Sequence, residues 1–225
     1  MLGCLPDLII ATGHRARIES ITATTIERFE RPVDALISFR PIPIMKFYRL
    51  FIDIKDPYAR ITHTGFGFEC IRDILHGKEI ESISTARLTI ENRSGHYPDV
   101  MGTGSSELFV RDRLKAFLQC KMPSRKIRFP EIEIAEEKYS LLNIVGLRGC
   151  MDHDHSTYTV FERTGLPDQI TNLVIIDDMI DEFDLFRIHD KPQFVFATEP
   201  LKEEMESQAF TGIRFIDSMD LTFGG

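Results

Sequence analysis

Residues 107–129 read ELFVRDRLKAFLQCKMPSRKIRF, and residues 193–215 read QFVFATEPLKEEMESQAFTGIRF. Each passage opens on an apolar run suited to a strand and places a Leu-Lys pair (114–115, 201–202) inside a helical stretch. Each closes on Ile-Arg-Phe (127–129, 213–215). The Leu-to-Ile separation is thirteen residues in the first and twelve in the second. Two strand–helix–strand units facing a common core are expected, related by duplication or by architecture alone.

Outward from these units, MKFYRLFIDIK (45–55) alternates. Tyr48, Leu50, Ile52 and Ile54 form an apolar side, as in a strand with one buried face. DPY (56–58) marks a turn. FECIRDILHG (68–77) spaces Phe68, Ile71 and Leu75 as a short helix stopped by Gly77. A strand is expected over 86–91 and an irregular loop over the Gly-, Ser- and Pro-rich 92–106. That loop is no phosphate cradle, because no G-K-[ST] follows its glycines. Residues 138–149, 156–162 and 170–178 are strand-like, and 181–188 lead into the second unit. Strands and short helices without strict alternation imply a single α+β domain with a mostly antiparallel sheet.

Residues 1–44 read differently. A capping box at Thr24 and Glu27 starts a poor helix, and Pro41 and Pro43 stiffen the link to Met45. The expectation is a leader or loosely attached extension, with 45–225 as the folded domain and Met45 as its true start.

The chain has 225 residues, 43% hydrophobic and 28% charged, the balance of a globular protein. Four scattered cysteines with no C-x-x-C pair argue against a zinc ribbon or a disulfide framework. No apolar run approaches the ~20 residues that span a bilayer, and no basic residue precedes the first apolar stretch as a secretory signal requires. A cytoplasmic protein with reduced thiols is the simplest reading. Charge is uneven. Residues 46–130 hold fifteen basic and ten acidic residues, net +5, whereas 131–225 hold seven basic and twenty acidic, net −13. An acidic half repels nucleic acid and attracts basic protein surfaces.

Two clusters invite chemistry. Asp152, His153, Asp154 and His155 are consecutive potential metal ligands. A catalytic metal wants three protein ligands and an open position, and the other histidines stand alone in sequence. The better expectation is a turn organised by Asp152 and Ser156, with both histidines exposed at its tip. The alternative is a metal-dependent hydrolase using these four residues. Cys150, close to those histidines, follows an apolar strand and reads as a buried structural thiol. The second cluster is Asp177, Asp178, Asp181, Glu182 and Asp184, five carboxylates without a cation between them. Falling on a strand end and the following turn, it reads as a solvated or partner-binding acidic surface.

The passages KYSLLNIVGLRGCMDHDHSTY (138–158) and DLFRIHDKPQFVFATEPLKEEMESQAFTGIRF (184–215) resemble the immunity-protein family numbered eleven of bacterial polymorphic-toxin systems. The resemblance rests on a tyrosine followed by Leu-Leu-Asn, a Cys-x-Asp before a serine, Phe-Arg-Ile, and a Leu-Lys helix leading to Thr-Gly-Ile-Arg-Phe. YPDVMG with FVRDRLKAFL (97–118) and the start MKFYRL fit too. Together they cover nearly everything after Met45. The family's pattern carries a charged residue in place of the histidines at 153–155, and residues 1–44 have no counterpart in it. The resemblance implies a non-catalytic protein, without cofactor, that neutralises a cognate secreted toxin encoded nearby. It implies neither membrane nor direct nucleic-acid binding and leaves the oligomeric state open. A nuclease toxin suits the charge map, since its active surface is basic. Residues 177, 178, 181, 182 and 184 are then the first candidates for contact.

Overall fold

The computed structural model describes residues 45–221, apart from 54–58, 64, 84–87, 92–94, 103–106, 135–136 and 181–183. The expectations for 1–44 and for the turn at 56–58 lie outside those residues. In chain order the elements are β1 (Phe47–Ile52), β2 (Arg60–His63), α1 (Phe68–Leu75), β3 (Thr89–Glu91), β4 (Val100–Gly102) and β5 (Leu108–Val110). Then come α2 (Asp112–Lys121), β6 (Ile127–Arg128), β7 (Glu131–Ile134), β8 (Glu137–Leu141), β9 (Asn143–Ile144), β10 (Thr157–Val160) and β11 (Pro167–Asn172). A 3-10 turn (Asp177–Met179), β12 (Leu185–Arg187), β13 (Val195–Thr198), α3 (Glu199–Ser207) and β14 (Ile213–Asp217) complete the fold.

Two antiparallel four-stranded sheets carry the architecture, in orders β12-β13-β1-β14 and β4-β5-β8-β7. Ribbons β2–β3, β6–β9 and β10–β11 flank them. The α+β class expected from the sequence is thus observed. Among the described residues no helix is long and apolar enough to cross a membrane.

Period-2 alternation sorts the side chains into three cores. In β5, Leu108 and Val110 join a central core while Phe109 joins an outer one. In β13, Val195 and Ala197 join the central core while Phe196 joins the other outer one. Both faces of β5 and β13 are therefore covered, which is why Leu108–Val110 and Val195–Ala197 read as continuous apolar runs. This also corrects the expectation for β1. Its Leu50 faces the central core as predicted, yet Phe47 and Arg49, from the opposite side, are only 3% and 7% exposed. The reason is position: β1 pairs with β13 and β14 at once, and the second outer core covers its other face. Arg49 is tolerated there because its guanidinium lies 3.3 Å from the Phe194 ring centroid and 3.8 Å from that of Phe51. Burial pulls its pKa down to about 9.

Both strand–helix–strand units form, as β5–α2–β6 and β13–α3–β14. Leu114 and Leu118 of α2 and Leu201 and Met205 of α3 share the central core. The likeness ends at sheet pairing. β14 lines up beside β1, in the sheet that holds β13, whereas β6 leaves its unit to pair with β9.

Elsewhere the structure departs from local pattern. The stretch expected to be an irregular loop contains the buried strand β4, which pairs with β5. Just before it, the Asp99 carboxylate accepts the N–H (2.8 Å) and hydroxyl (2.9 Å) of Thr211, while the Asp99 N–H donates to the same hydroxyl oxygen. This clamp supplies the tertiary contact that the local sequence does not announce. Likewise 170–178 stays a strand only to Asn172; Ile175 makes a lone bridge to Met151 and the chain then turns. Helix α1 ends as predicted. Gly77 adopts φ +62°, and a Cβ there would stand 2.7 Å from the Gly146 backbone carbonyl carbon.

Candidate partner interface

The polar stretch 152–156 folds as a turn. The Asp152 carboxylate accepts the backbone N–H groups of Asp154 (3.0 Å) and His155 (3.1 Å), and the Ser156 N–H closes on the Asp152 carbonyl (3.0 Å). The Ser156 hydroxyl oxygen accepts the Val174 N–H at 3.0 Å and anchors the turn. His153 and His155 are exposed, as expected, and they diverge. His153 Nε2 lies 3.2 Å from Asp190, whereas His155 Nδ1 lies 2.8 Å from Asp152. Hydrogen bonding to Asp152 raises the His155 pKa, and the same bond holds the Asp152 carboxyl below its ordinary value. Among the described residues no group of three or more His, Cys, Asp or Glu side chains is placed to hold a metal ion. Cys150 is wholly buried, and burial pushes its thiol up to about 11, which leaves it a poor nucleophile.

The acidic stretch is divided by the fold. Asp177 and Asp178 are exposed on the 3-10 turn, and Asp177 accepts the Met45 N–H at 3.2 Å. Asp181 and Glu182 lie outside the described residues. Asp184 is half-buried and committed to the fold. Its carboxylate accepts the Thr198 hydroxyl, and its carbonyl accepts the Thr198 N–H, each at 2.9 Å, fastening β12 to β13.

Beside Asp177 is a cleft of about 270 Å³ that sequence reasoning missed. Three distant segments build it: the start of β1, the stretch after β11 and the turn after β14. The Ser218 N–H donates to the Phe47 carbonyl (2.9 Å), and the Leu173 N–H donates to the Ser218 carbonyl (2.8 Å). Phe47, Leu173 and Ile175 are buried parts of its lining, while Met45 and Met219 stand 44% and 55% exposed at its rim. Asp217 and Lys46 line it too. Met179, on the acidic turn, is also half exposed. No local signal marks these methionines, since each is isolated in sequence. A second exposed apolar group, Val160, Phe161 and Leu166, sits at the loop end of the β10–β11 ribbon.

The residues that carry the family resemblance are structural. Tyr139 is buried and donates to the Pro98 carbonyl at 2.6 Å. Asn143, fully buried, accepts the Ile80 N–H (2.9 Å) and donates to the Lys78 carbonyl (3.1 Å). Arg187, also fully buried, donates to the Pro192 carbonyl at 2.7 Å. Burial lowers its pKa to about 10, opposed by the Glu107 charge. These side chains hold the layers together and point to no binding face. Residues 53–220 match the sequence profile described as Immunity protein family (Imm11). No curated protein matches the chain.

Proposed function

The chain belongs to the Immunity protein family (Imm11), and from that membership we propose that it binds and neutralises a cognate antibacterial toxin encoded by a neighbouring gene. It acts by contact, in the cytoplasm, and its own side chains transform no substrate. The domain that does so is 45–225. The match over residues 53–220 is the observation that carries this reading. Charge supports it further. With net −13 over residues 131–225, the protein suits a basic target, and a nuclease is the toxin chemistry that fits best. Acidic side chains including Asp177 and Asp178 would take the place of phosphates on that surface, with Asp181 and Glu182 in the same stretch, while Asp184 stays bonded to Thr198.

The test is co-expression with the product of the adjacent toxin gene, scoring cell survival and a co-purifying complex. Survival with a stoichiometric complex is expected; cell death and no complex would end the proposal. Changing Asp177 and Asp178 to Asn is expected to lower the association rate and flatten its salt dependence, because exposed charges act mainly on encounter.

A further inference from the structure

We propose that the methionine-rimmed cleft beside Asp177 and Asp178 is the anchor pocket for the toxin, receiving an apolar side chain that stands between basic residues on the partner's surface. The inference rests on the toxin-binding reading above and assigns the contact within it.

The first argument is the division among methionines. Met101, Met122, Met151 and Met205 are between 1% and 4% exposed, buried in the cores. Met45, Met179 and Met219 are 44%, 50% and 55% exposed. Two of these three line one cleft, and the third stands on the turn that supplies Asp177 and Asp178. Methionine is unbranched and polarizable, so it adapts to an incoming side chain, and it is enriched at interface centres. The floor is the opposite in character. Phe47 and Leu173 are held by the backbone hydrogen bonds through Ser218, so the depth of the pocket is preset while its rim adapts. A rigid apolar floor inside a ring that excludes water is the setting of binding hot spots.

The second argument is charge. Asp217 lines the cleft, Asp177 is bonded to the Met45 N–H at its rim, and Asp178 is next in the chain. Lys46 is the one cation in the lining, and it already lies 3.9 Å from Glu199. Among the described residues neither Asp177 nor Asp178 forms an ion pair. The apolar opening therefore sits in a negative field, and a partner whose anchor is flanked by Lys or Arg satisfies both features at once. The ribbon tip at Phe161 lacks this complement, since its neighbours Glu162 and Arg163 cancel. A division of labour follows. The carboxylates govern how fast the toxin arrives, and the cleft governs how slowly it leaves.

The test uses the full chain with methyl-labelled methionine, a soluble paramagnetic agent, and the neighbouring gene's toxin in a catalytically inactive form. In the free protein the Met45 and Met219 methyl signals are expected to be bleached by the agent, and in the complex they are expected to be protected. If they are already protected in the free chain, the cleft is closed without the toxin and the proposal falls. If they stay bleached in the complex, the toxin binds elsewhere and it falls again. Met219→Glu, at an exposed position that leaves the cores intact, is expected to raise the dissociation rate about thirtyfold. Phe161→Glu is expected to change it less than about threefold. A change under about threefold for Met219→Glu overturns the pocket assignment. A wild-type chain that forms no complex at all removes the toxin reading itself, which is a separate result.

Discussion

Asn143→Leu removes a side chain that stands in for a strand. The buried amide ties the segment after α1 to β9 by accepting the Ile80 N–H at 2.9 Å and donating to the Lys78 carbonyl at 3.1 Å. Leucine matches asparagine in heavy-atom count and γ-branching, so no cavity forms and the effect reports mainly the lost hydrogen bonds. The Ile80 N–H is buried, and leaving it unpaired costs about 1–3 kcal/mol. The Lys78 carbonyl is only partly buried, and its loss is nearer the ordinary net value of about 0.5–1.5 kcal/mol. The expected destabilisation is about 1–4 kcal/mol after partial offset by the added apolar burial. With a urea slope of about 2–3 kcal/mol/M, the unfolding midpoint should fall by about 1 M. Amide exchange supplies the local readout: the Ile80 N–H should lose protection, while the β1 and β13 amides keep theirs below the new global limit. A midpoint within about 0.2 M of wild type, together with unchanged protection at Ile80, would refute the reasoning.

At Gly212, φ is +78°, and a Cβ would collide with the Val100 carbonyl oxygen and stand 2.7 Å from the Pro98 Cβ. Gly212→Ala should therefore cost at least about 3 kcal/mol, a melting drop of about 6–12 °C, because left-handed strain and an immovable neighbour add. Gly149→Ala, where a Cβ meets nothing within 4 Å, should stay within about 0.5 kcal/mol of wild type. The Asp152–His155 contact predicts a titration. The His155 ring, followed by NMR, should titrate above the ordinary value of about 6.5 and return to it in Asp152→Asn. His155 is raised, so its contribution to the turn is complete below its ordinary pKa and is lost as pH rises through the folded one. Asp152 is depressed, so its share is present above its ordinary pKa and is lost as pH falls through the folded one. The turn is firmest between these limits, and an unshifted His155 in the wild type would contradict the assignment.

Much of this protein was legible locally. The Leu-Lys spacing located α2 and α3, because a helix buries residues at its own period whatever it packs against. Asp152 announced its turn, since the bonds it accepts come from backbone within a few residues, while Ser156 anchors the turn to Val174 farther along the chain. Cys150 was readable as a core thiol from the apolar strand before it. Harder to read were elements whose partners are remote. The strand at Val100–Gly102 owes its form to β5 and to the Thr211 clamp, more than one hundred residues away in the latter case. The burial of Arg49 depends on rings at Phe51 and Phe194, of which only the first is near in sequence.

The candidate site divides along the same line. Its acidic character is a property of composition. Which carboxylates face outward is decided by the fold, since Asp184 is spent on Thr198 while Asp177 and Asp178 are exposed. The cleft belongs wholly to tertiary structure. Residues 45–47 and 217–219 become neighbours because β1 pairs with β14, and the Leu173 N–H bond to the Ser218 carbonyl brings in 173–175. Periodicity along a chain records how each segment buries its own face; it holds no record of which distant segments will share an opening.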